Sequence, residues 1–158
     1  MVLTCFFKLV ASYSVAALAA QGTGKFLSSN AYDTASNTLV VTSPTDGALQ
    51  HGLIGFHVNQ DCKLSKSFDV TATTGVYGEP YSSPTLANGV IYYSDGPGGH
   101  VYAASAMTGA TLWSTASVGG WVVGAPTVVN GRVYISSFNV ASYGSSTALS
   151  YAYAFALP

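Results

Sequence analysis

The sequence predicts an all-β protein built from about three four-stranded antiparallel units in tandem, with the last unit incomplete. Three observations lead to this prediction. Aromatic residues make up 13% of the chain and there are 17 glycines, whereas charged residues make up only 7%. Short runs of β-branched and aromatic residues alternate with turn residues. A ten-residue stretch also recurs at a fixed offset, which indicates a repeat architecture.

The N-terminal residues 9–20 form an apolar run that follows Lys8 and ends in small residues. This pattern is typical of a secretory signal peptide cut near Ala19 or Ala20, and the alternative is an extra N-terminal segment within residues 1–20. The run is too short for a membrane span. With the low charge, it favours a secreted, periplasmic or cell-surface location.

The first unit is expected at about residues 25–70, within a repeat region that covers residues 21–158. Four apolar segments are predicted to be its strands, at 26–32, 39–42, 53–58 and 64–70. The chain has two cysteines, Cys5 and Cys62, which are too few for a disulfide scaffold or a cysteine zinc site. We expect Cys62 to be a free, half-buried thiol, and a bridge to Cys5 is the alternative.

The second unit, at about residues 81–116, begins with the recurring stretch. Residues 83–92 reappear as 125–134, an offset of 42, with Pro, Thr, Asn, Gly and Tyr conserved between the two copies. Each copy is predicted to be a β-hairpin, because Asn-Gly readily supplies the two positive φ angles of a type I′ turn. The predicted turns are Asn88-Gly89 and Asn130-Gly131.

A glycine-rich loop at 95–99, a strand at 100–104, a turn at 107–109 and a strand at 111–113 complete the second unit. The third unit, at about residues 121–158, has its hairpin, an enlarged loop around 143–146 and a strand at 150–155. No fourth strand is predicted for it.

Four residues of the second unit, Ala103, Thr108, Gly109 and Trp113, resemble the tryptophan-docking motif of the pyrroloquinoline-quinone-type (PQQ-like) β-propeller repeat. The resemblance implies a partial β-propeller in which the tryptophan stacks between adjacent blades and the Thr-Gly turn caps the third and fourth strands. Ser105 stands where this family usually has aspartate, and Phe68 occupies the tryptophan position in the first unit.

Closed propellers typically have four to eight blades, so three units leave bare faces and unpaired edges. We therefore expect either a C-terminal fragment of a larger propeller or a chain whose self-association completes the ring. The net charge is −1 with five Lys plus Arg, so we expect neither nucleic acid nor an anionic membrane surface as a partner.

No catalytic residue and no metal site are predicted for this chain alone. The enzymes of the family that this chain resembles hold a quinone and calcium through acidic and amide ligands, and they have an aspartate base and a disulfide of adjacent cysteines. The resemblance implies that a catalytic chain would need the same groups. The six acidic residues here are scattered, and the two cysteines are not adjacent. The spacing of His51, His57 and His100 matches no ligand pattern.

The predicted function is therefore a non-catalytic binding or scaffolding surface for a protein, a small molecule or a glycan. The alternative is an arc of a larger quinone-dependent alcohol or sugar dehydrogenase, and only then would PQQ and calcium be expected as cofactors. The chain also resembles the propellers of outer-membrane assembly lipoproteins, which bind partner proteins by their loops. Clustered tyrosines could stack on sugars or peptides, but we favour ordinary strand packing for Tyr77, Tyr81, Tyr92, Tyr93 and Tyr102.

Overall fold

The structure, a computed structural model, describes residues 29–42, 51–71, 82–96, 98–139 and 150–156. Within these ranges the regular structure consists of eleven β-strands: β1 (Ala31–Asp33), β2 (Thr38–Thr42), β3 (His51–Val58), β4 (Leu64–Thr71), β5 (Thr85–Ala87), β6 (Val90–Ser94), β7 (Val101–Ser105), β8 (Thr111–Ser114), β9 (Thr127–Val129), β10 (Arg132–Phe138) and β11 (Ser150–Ala156). The described residues include no helix long and apolar enough to cross a membrane.

The strands form three antiparallel sheets, each made of consecutive strands. Sheet 1 contains β1 to β4, sheet 2 contains β5 to β8, and sheet 3 has the order β11-β10-β9. The predicted all-β class, with an incomplete last unit, is confirmed. The predicted first strand, at 26–32, begins outside the described residues. Within them β1 begins at Ala31, so the predicted strand residues Ser29 and Asn30 precede it.

The two copies of the recurring stretch fold in the same way. Asn88 and Gly89 have φ of 52° and 74°, and Asn130 and Gly131 have φ of 50° and 69°. These positive angles are those that a type I′ hairpin turn requires. The flanking strands share one register, because Thr85 pairs with Tyr92 and Thr127 pairs with Tyr134.

The core between sheets 1 and 2 is built from alternate residues of sheet 2. Ile91 and Tyr93 point toward sheet 1, because side chains alternate between the two faces of a strand. They pack against Val40, Leu53 and Phe68 of sheet 1. Ile91 and Leu53 are fully buried, and such burial stabilises a fold by roughly 1.5–3 kcal/mol per side chain.

The core between sheets 2 and 3 uses the opposite face of sheet 2. Tyr92 and Ala103 pack against Val133 and Ile135 of sheet 3 and against Val122 of the connecting segment. Sheet 2 is therefore covered on both faces, and the described part of the molecule is a stack with sheet 2 in the middle.

Sheet 1 carries a further apolar cluster on the face turned away from sheet 2. Val41, Ile54 and Phe56 are buried there, with Leu39 and Leu64 packed against them. All described members of this cluster belong to strands β2, β3 and β4 of sheet 1.

The expectation of a free thiol at Cys62 is wrong. Cys62 is disulfide-bonded, and its φ of 64° places it in the turn between β3 and β4. The sequence contains one other cysteine, Cys5, which lies outside the described residues.

Candidate functional site

Two of the four predicted docking residues, Ala103 and Trp113, lie at the junction of sheets 2 and 3. Ala103 on β7 pairs with Trp113 on β8, and Ala103 is only 5% exposed. The half-buried Trp113 ring packs on the cluster between the sheets and meets Phe155 of β11 edge-on, with ring centroids 5.6 Å apart. Trp113 thus contributes to the contact between sheets 2 and 3.

The Thr108-Gly109 turn joins β7 to β8 and lies against sheet 1. Ser105 Oγ accepts hydrogen bonds from the amides of Met107 and Thr108, both at 3.3 Å. Gly109 has a φ of 72°, and a methyl group added to it would lie 2.5 Å from Cδ2 of Phe68. Glycine is needed here both for its backbone angle and for the close approach of sheet 1.

Phe68 is the counterpart of Trp113 in sheet 1. It pairs with Gly55, as Trp113 pairs with Ala103, and a methyl group on Gly55 would overlap its ring. Phe68 is 8% exposed and packs in the cluster between sheets 1 and 2. An aromatic residue over a small partner therefore lies at both junctions.

Hydroxyl groups add polar links between consecutive sheets. Thr42 Oγ1 at the end of β2 donates to the carbonyl oxygen of Ser82 at 3.2 Å. Ser94 Oγ at the end of β6 donates to the carbonyl oxygen of Val122 at 2.5 Å. Both hydroxyls satisfy buried carbonyls of the chain that enters the next sheet.

Sheet 3 leaves one face exposed to solvent. Tyr134 is 39% exposed, although Tyr92, which precedes it by the repeat offset, is 4% exposed beneath sheet 3. Val129 on this face is 47% exposed, and Ser136, the counterpart of Ser94, is also exposed. No described element covers this face.

A buried carboxylate closes the loop between β6 and β7. Asp95 is 2% exposed and accepts hydrogen bonds from the amide and Nδ1 of His100, at 2.8 and 2.7 Å, and from Tyr102 Oη at 3.1 Å. Gly98 packs so tightly on this carboxylate that a methyl group there would overlap it. The sequence predicted a loop at 95–99 and a strand at 100–104 but not this cluster. The signal for it was an aspartate that opens a glycine-rich loop followed by histidine and tyrosine.

The aromatic neighbours of Asp95 are held in their neutral form. Tyr93 and Tyr102 stack with their ring centroids 5.1 Å apart. Burial, together with the negative charge of Asp95, raises the pKa of Tyr93 to about 12. Burial likewise raises the pKa of Tyr102, and the charge and hydrogen bond of Asp95 add to this effect.

The Asp95–His100 pair has the form of a dyad in which a carboxylate orients a histidine as general base. Its hydrogen bonds instead hold the loop between β6 and β7 in place. Among the described residues, the His100 ring forms its hydrogen bond with Asp95 alone. His57 is exposed on β3, distant in sequence and in sheet from His100. Within the described ranges, no three His, Cys, Asp or Glu side chains come together as metal ligands.

A shallow groove of about 330 Å³ lies at the opposite end of sheet 2 from the Asp95 loop. Three turns form it: the β1–β2 turn, the Asn88-Gly89 turn and the turn after β7. Its lining residues are Asp33, Ala35, Ser36, Gly89, Ser105, Ala106 and Met107. Met107 is 75% exposed, which makes it the most exposed large apolar side chain among the described residues.

The groove combines an apolar surface with one carboxylate. Asp33 accepts hydrogen bonds from Ser36 Oγ at 2.6 Å and from the amides of Ala35 and Ser36 at 3.3 and 3.2 Å. The hydrogen bond from the Ser36 side chain is the main cause that lowers the pKa of Asp33. The turn therefore presents a fixed negative charge beside Met107.

A model of the family described as outer membrane protein assembly factor BamB matches residues 14–152. Among solved structures, BamB from Moraxella catarrhalis is similar to this chain at 15% identity, with a TM-score of 0.51. The similarity covers 70% of this chain and 30% of that one, so this chain spans less than a third of that relative. Similarity at this identity shows the fold, a β-propeller.

Two dehydrogenases are also similar over 70% of this chain. One is the quinohemoprotein alcohol dehydrogenase ADHIIG from Pseudomonas putida HK5, at 16% identity and a TM-score of 0.44 over 21% of that chain. The other is a europium-containing methanol dehydrogenase, at 17% identity and a TM-score of 0.43 over 25% of that chain. No curated protein sequence matches the chain.

Proposed function

This chain belongs to the family of the outer membrane protein assembly factor BamB, and on that premise we propose that it is a non-catalytic propeller segment that binds another protein. Its resemblance to PQQ-like propeller repeats is confirmed by that family and by the solved structures. The groove between the turns of sheets 1 and 2 is the observation that carries the proposal.

The stacking of sheets 1 and 2 holds the groove in shape. The amide of Ala106 donates to the carbonyl oxygen of Gly89 at 2.9 Å, which fixes one turn of sheet 2 against the other. Phe68 and Gly109 fix sheet 1 against the same end of sheet 2. A partner therefore meets a preformed surface and does not have to order it, which lowers the entropic cost of binding.

The chemistry of the groove indicates what it binds. Met107 is a flexible apolar side chain of the kind that adapts to varied apolar partners. The ionised Asp33 at the rim favours a nearby Lys or Arg. We therefore propose a partner segment with an apolar side chain beside a basic residue.

We propose that the chain works in an exported compartment. The family's description names an assembly factor of outer membrane proteins, and the disulfide at Cys62 suits an oxidising environment. The alternative is an arc of a larger quinone-dependent dehydrogenase, whose calcium and quinone would need converging acidic and amide ligands. The described residues of this chain bring no such set of carboxylates together. Their carboxylates lie in separate turns and strands, and those of Asp33, Asp61 and Asp95 bind neighbouring groups.

The proposal is tested by replacing Met107 with a photoactivatable residue in the full chain and irradiating cells that express it. Position 107 is expected to cross-link to one discrete protein. The same replacement at Leu112, which is 60% exposed on β8, is the matched control and is expected to give no such product.

A second variant, Asp33→Asn, keeps an oxygen acceptor for the turn amides and removes the charge. It is expected to reduce the cross-link at position 107 by about fivefold, since it removes one charged contact at the rim. Equal cross-linking at positions 107 and 112, or no product at 107, would show that the groove is not the binding surface.

A further inference from the structure

Met107 presents the most accessible sulfur atom in the described part of the chain. It is the only methionine among the described residues and is 75% exposed, on the turn between β7 and β8. A hydroperoxide that reaches a thioether sulfur oxidises it to the sulfoxide. Cys62 is already disulfide-bonded, and Trp113 and Trp121 are half-buried. Oxidation of the folded chain by a peroxide is therefore expected first at Met107.

The hydrogen bonds of its turn fix the exposed position of Met107. Ser105 Oγ accepts from the amides of Met107 and Thr108, both at 3.3 Å. The amide of Gly109 donates to the carbonyl oxygen of Ser105 at 2.8 Å, and the amide of Ser105 donates to that of Ala110 at 2.9 Å. The folded turn therefore holds Met107 at the groove, so a peroxide reaches the sulfur without any unfolding.

The reaction needs only hydrogen peroxide as its co-reactant. A lone pair of the thioether sulfur attacks one peroxide oxygen, the O–O bond breaks and an S–O bond forms. The sulfur loses two electrons, and the released hydroxide takes up a proton and becomes water. A reductase that supplies two thiols reverses the step, because the thiols are oxidised to a disulfide and the sulfoxide oxygen leaves as water.

Oxidation changes the groove on its apolar side. The sulfoxide of an oxidised Met107 is polar, and its oxygen accepts hydrogen bonds but donates none. Asp33, which also lines the groove, likewise offers only acceptors, and its carboxylate already accepts from Ser36 and from the amide of Ala35. An apolar side chain of a partner has no donor for the sulfoxide. Burying the two together would therefore leave the sulfoxide oxygen without a hydrogen bond, which is unfavourable.

We propose that Met107 is a site of reversible oxidation to the sulfoxide, and that this modification weakens the binding of the partner segment to the groove. The inference rests on the function proposed for the groove and adds a means of regulating it. In the exported compartment proposed above, the chain would meet peroxides from the surroundings directly. The balance between peroxide and reductase then sets the fraction of chains that bind.

The first measurement follows the oxidation of the purified full chain by hydrogen peroxide. Peptide mass spectrometry is expected to show the sulfoxide at position 107 forming at a rate within about twofold of that of N-acetylmethionine amide in the same tube. Thermal melts before and after oxidation are expected to coincide, because the side chain is exposed. A rate more than about tenfold below that of the free amide, or an oxidised chain that has lost its fold, overturns the proposal.

The second measurement compares how much partner the oxidised and the untreated chains capture. A photoactivatable residue replaces Ala35, an exposed lining residue, so that Met107 stays in place. The chain alone is oxidised, catalase destroys the remaining peroxide, and the chain is irradiated in an extract of the cells. The oxidised chain is expected to capture at least about fivefold less of the protein that the untreated chain captures, because burial of an apolar side chain is lost. Methionine sulfoxide reductase with dithiothreitol is expected to restore capture.

Met107→Leu is the matched control, because leucine is apolar and forms no sulfoxide. Capture by this variant is expected to be the same before and after treatment with peroxide. Dithiothreitol without the reductase is the second control, since it reaches the disulfide at Cys62 but does not reduce the sulfoxide efficiently. An equal loss of capture from both proteins, or recovery with dithiothreitol alone, would assign the effect to another group and overturn the proposal.

The failure of this inference is distinct from the failure of the proposed function. A product at position 35 that persists undiminished on the fully oxidised chain overturns the regulation by Met107 and still supports the groove as a binding surface. The absence of that product from the untreated chain overturns the proposed function, and the regulation with it.

Discussion

At the scale of single residues, small side chains decide how closely the sheets approach. Gly55 makes room for the Phe68 ring within sheet 1, and Gly109 makes room for the same ring from sheet 2. Ser105 stabilises its turn through its hydroxyl, because the oxygen accepts hydrogen bonds from the two turn amides. Each of these residues acts through geometry and needs no ligand.

The stacked tyrosines beside Asp95 predict a loss of stability at high pH. The folded-state pKa of Tyr93 is raised to about 12 from an ordinary value of 10, so the folded chain holds this proton more tightly than the unfolded chain. The resulting stability is fully present below pH 10 and is lost as the pH rises toward 12. Thermal melts are expected to show this loss, and ultraviolet absorbance to show that the buried tyrosines ionise only on unfolding.

Tyr93→Phe is the control for this prediction, because it keeps the stacked ring and removes the titrating group. It is expected to unfold at nearly the same temperature as the unmodified chain at neutral pH and to lose less stability between pH 10 and pH 12. Equal alkaline losses in the two proteins would contradict the assignment to Tyr93.

At the scale of elements, the short strands and their turns are what the sequence predicts best. Asn88-Gly89 and Asn130-Gly131 specify their turns locally, because few other dipeptides accept two positive φ angles. Contacts between elements were not predictable in the same way. The ring of Phe155 on Trp113 and the hydrogen bonds to Asp95 depend on how separate segments approach in space, which no local pattern encodes.

The hydrogen bond from Ser94, at the end of β6, to Val122 is one such contact between elements. Its repeat counterpart on β10, the exposed Ser136, provides a control within the same molecule. Ser94→Ala removes the donor to the buried carbonyl of Val122, and the expected loss of stability is about 1–2 kcal/mol. Ser136→Ala changes the equivalent exposed hydroxyl of sheet 3 and is expected to alter stability by less than about 0.5 kcal/mol. Chemical denaturation measures both, and equal losses would show that the link to Val122 contributes nothing.

At the scale of the whole molecule, stability depends on the two junctions that hold the stack of three sheets together. Sheet 2 contributes residues to both junctions, whereas sheet 3 packs against the other described elements through one of its faces. The fold class could be predicted because the repeat reports architecture directly, but the disulfide at Cys62 could not. Cysteine pairing is a property of the assembled structure and does not follow from spacing.

Trp113→Ala is predicted to weaken the junction of sheets 2 and 3. The expected loss is about 3 kcal/mol, near the low end for removing a core tryptophan because the ring is only half buried. Thermal melts measure it, and Leu112→Ala, a change at the exposed neighbour, is the control. With Trp121→Phe as background, the fluorescence of Trp113 is expected to be blue-shifted, and a water-like spectrum would contradict the contact with Phe155.

The meander of consecutive strands also sets an order of events during synthesis on the ribosome. Each sheet consists of neighbours in the chain, so sheet 1 can close before sheet 2 has emerged, and sheet 2 before sheet 3. Until its successor arrives, each new sheet leaves one face bare, and on sheet 2 this is the face of Tyr92, which sheet 3 later covers. Chaperones that recognise nascent chains would therefore meet the face of sheet 2 that carries Tyr92 only until sheet 3 folds against it.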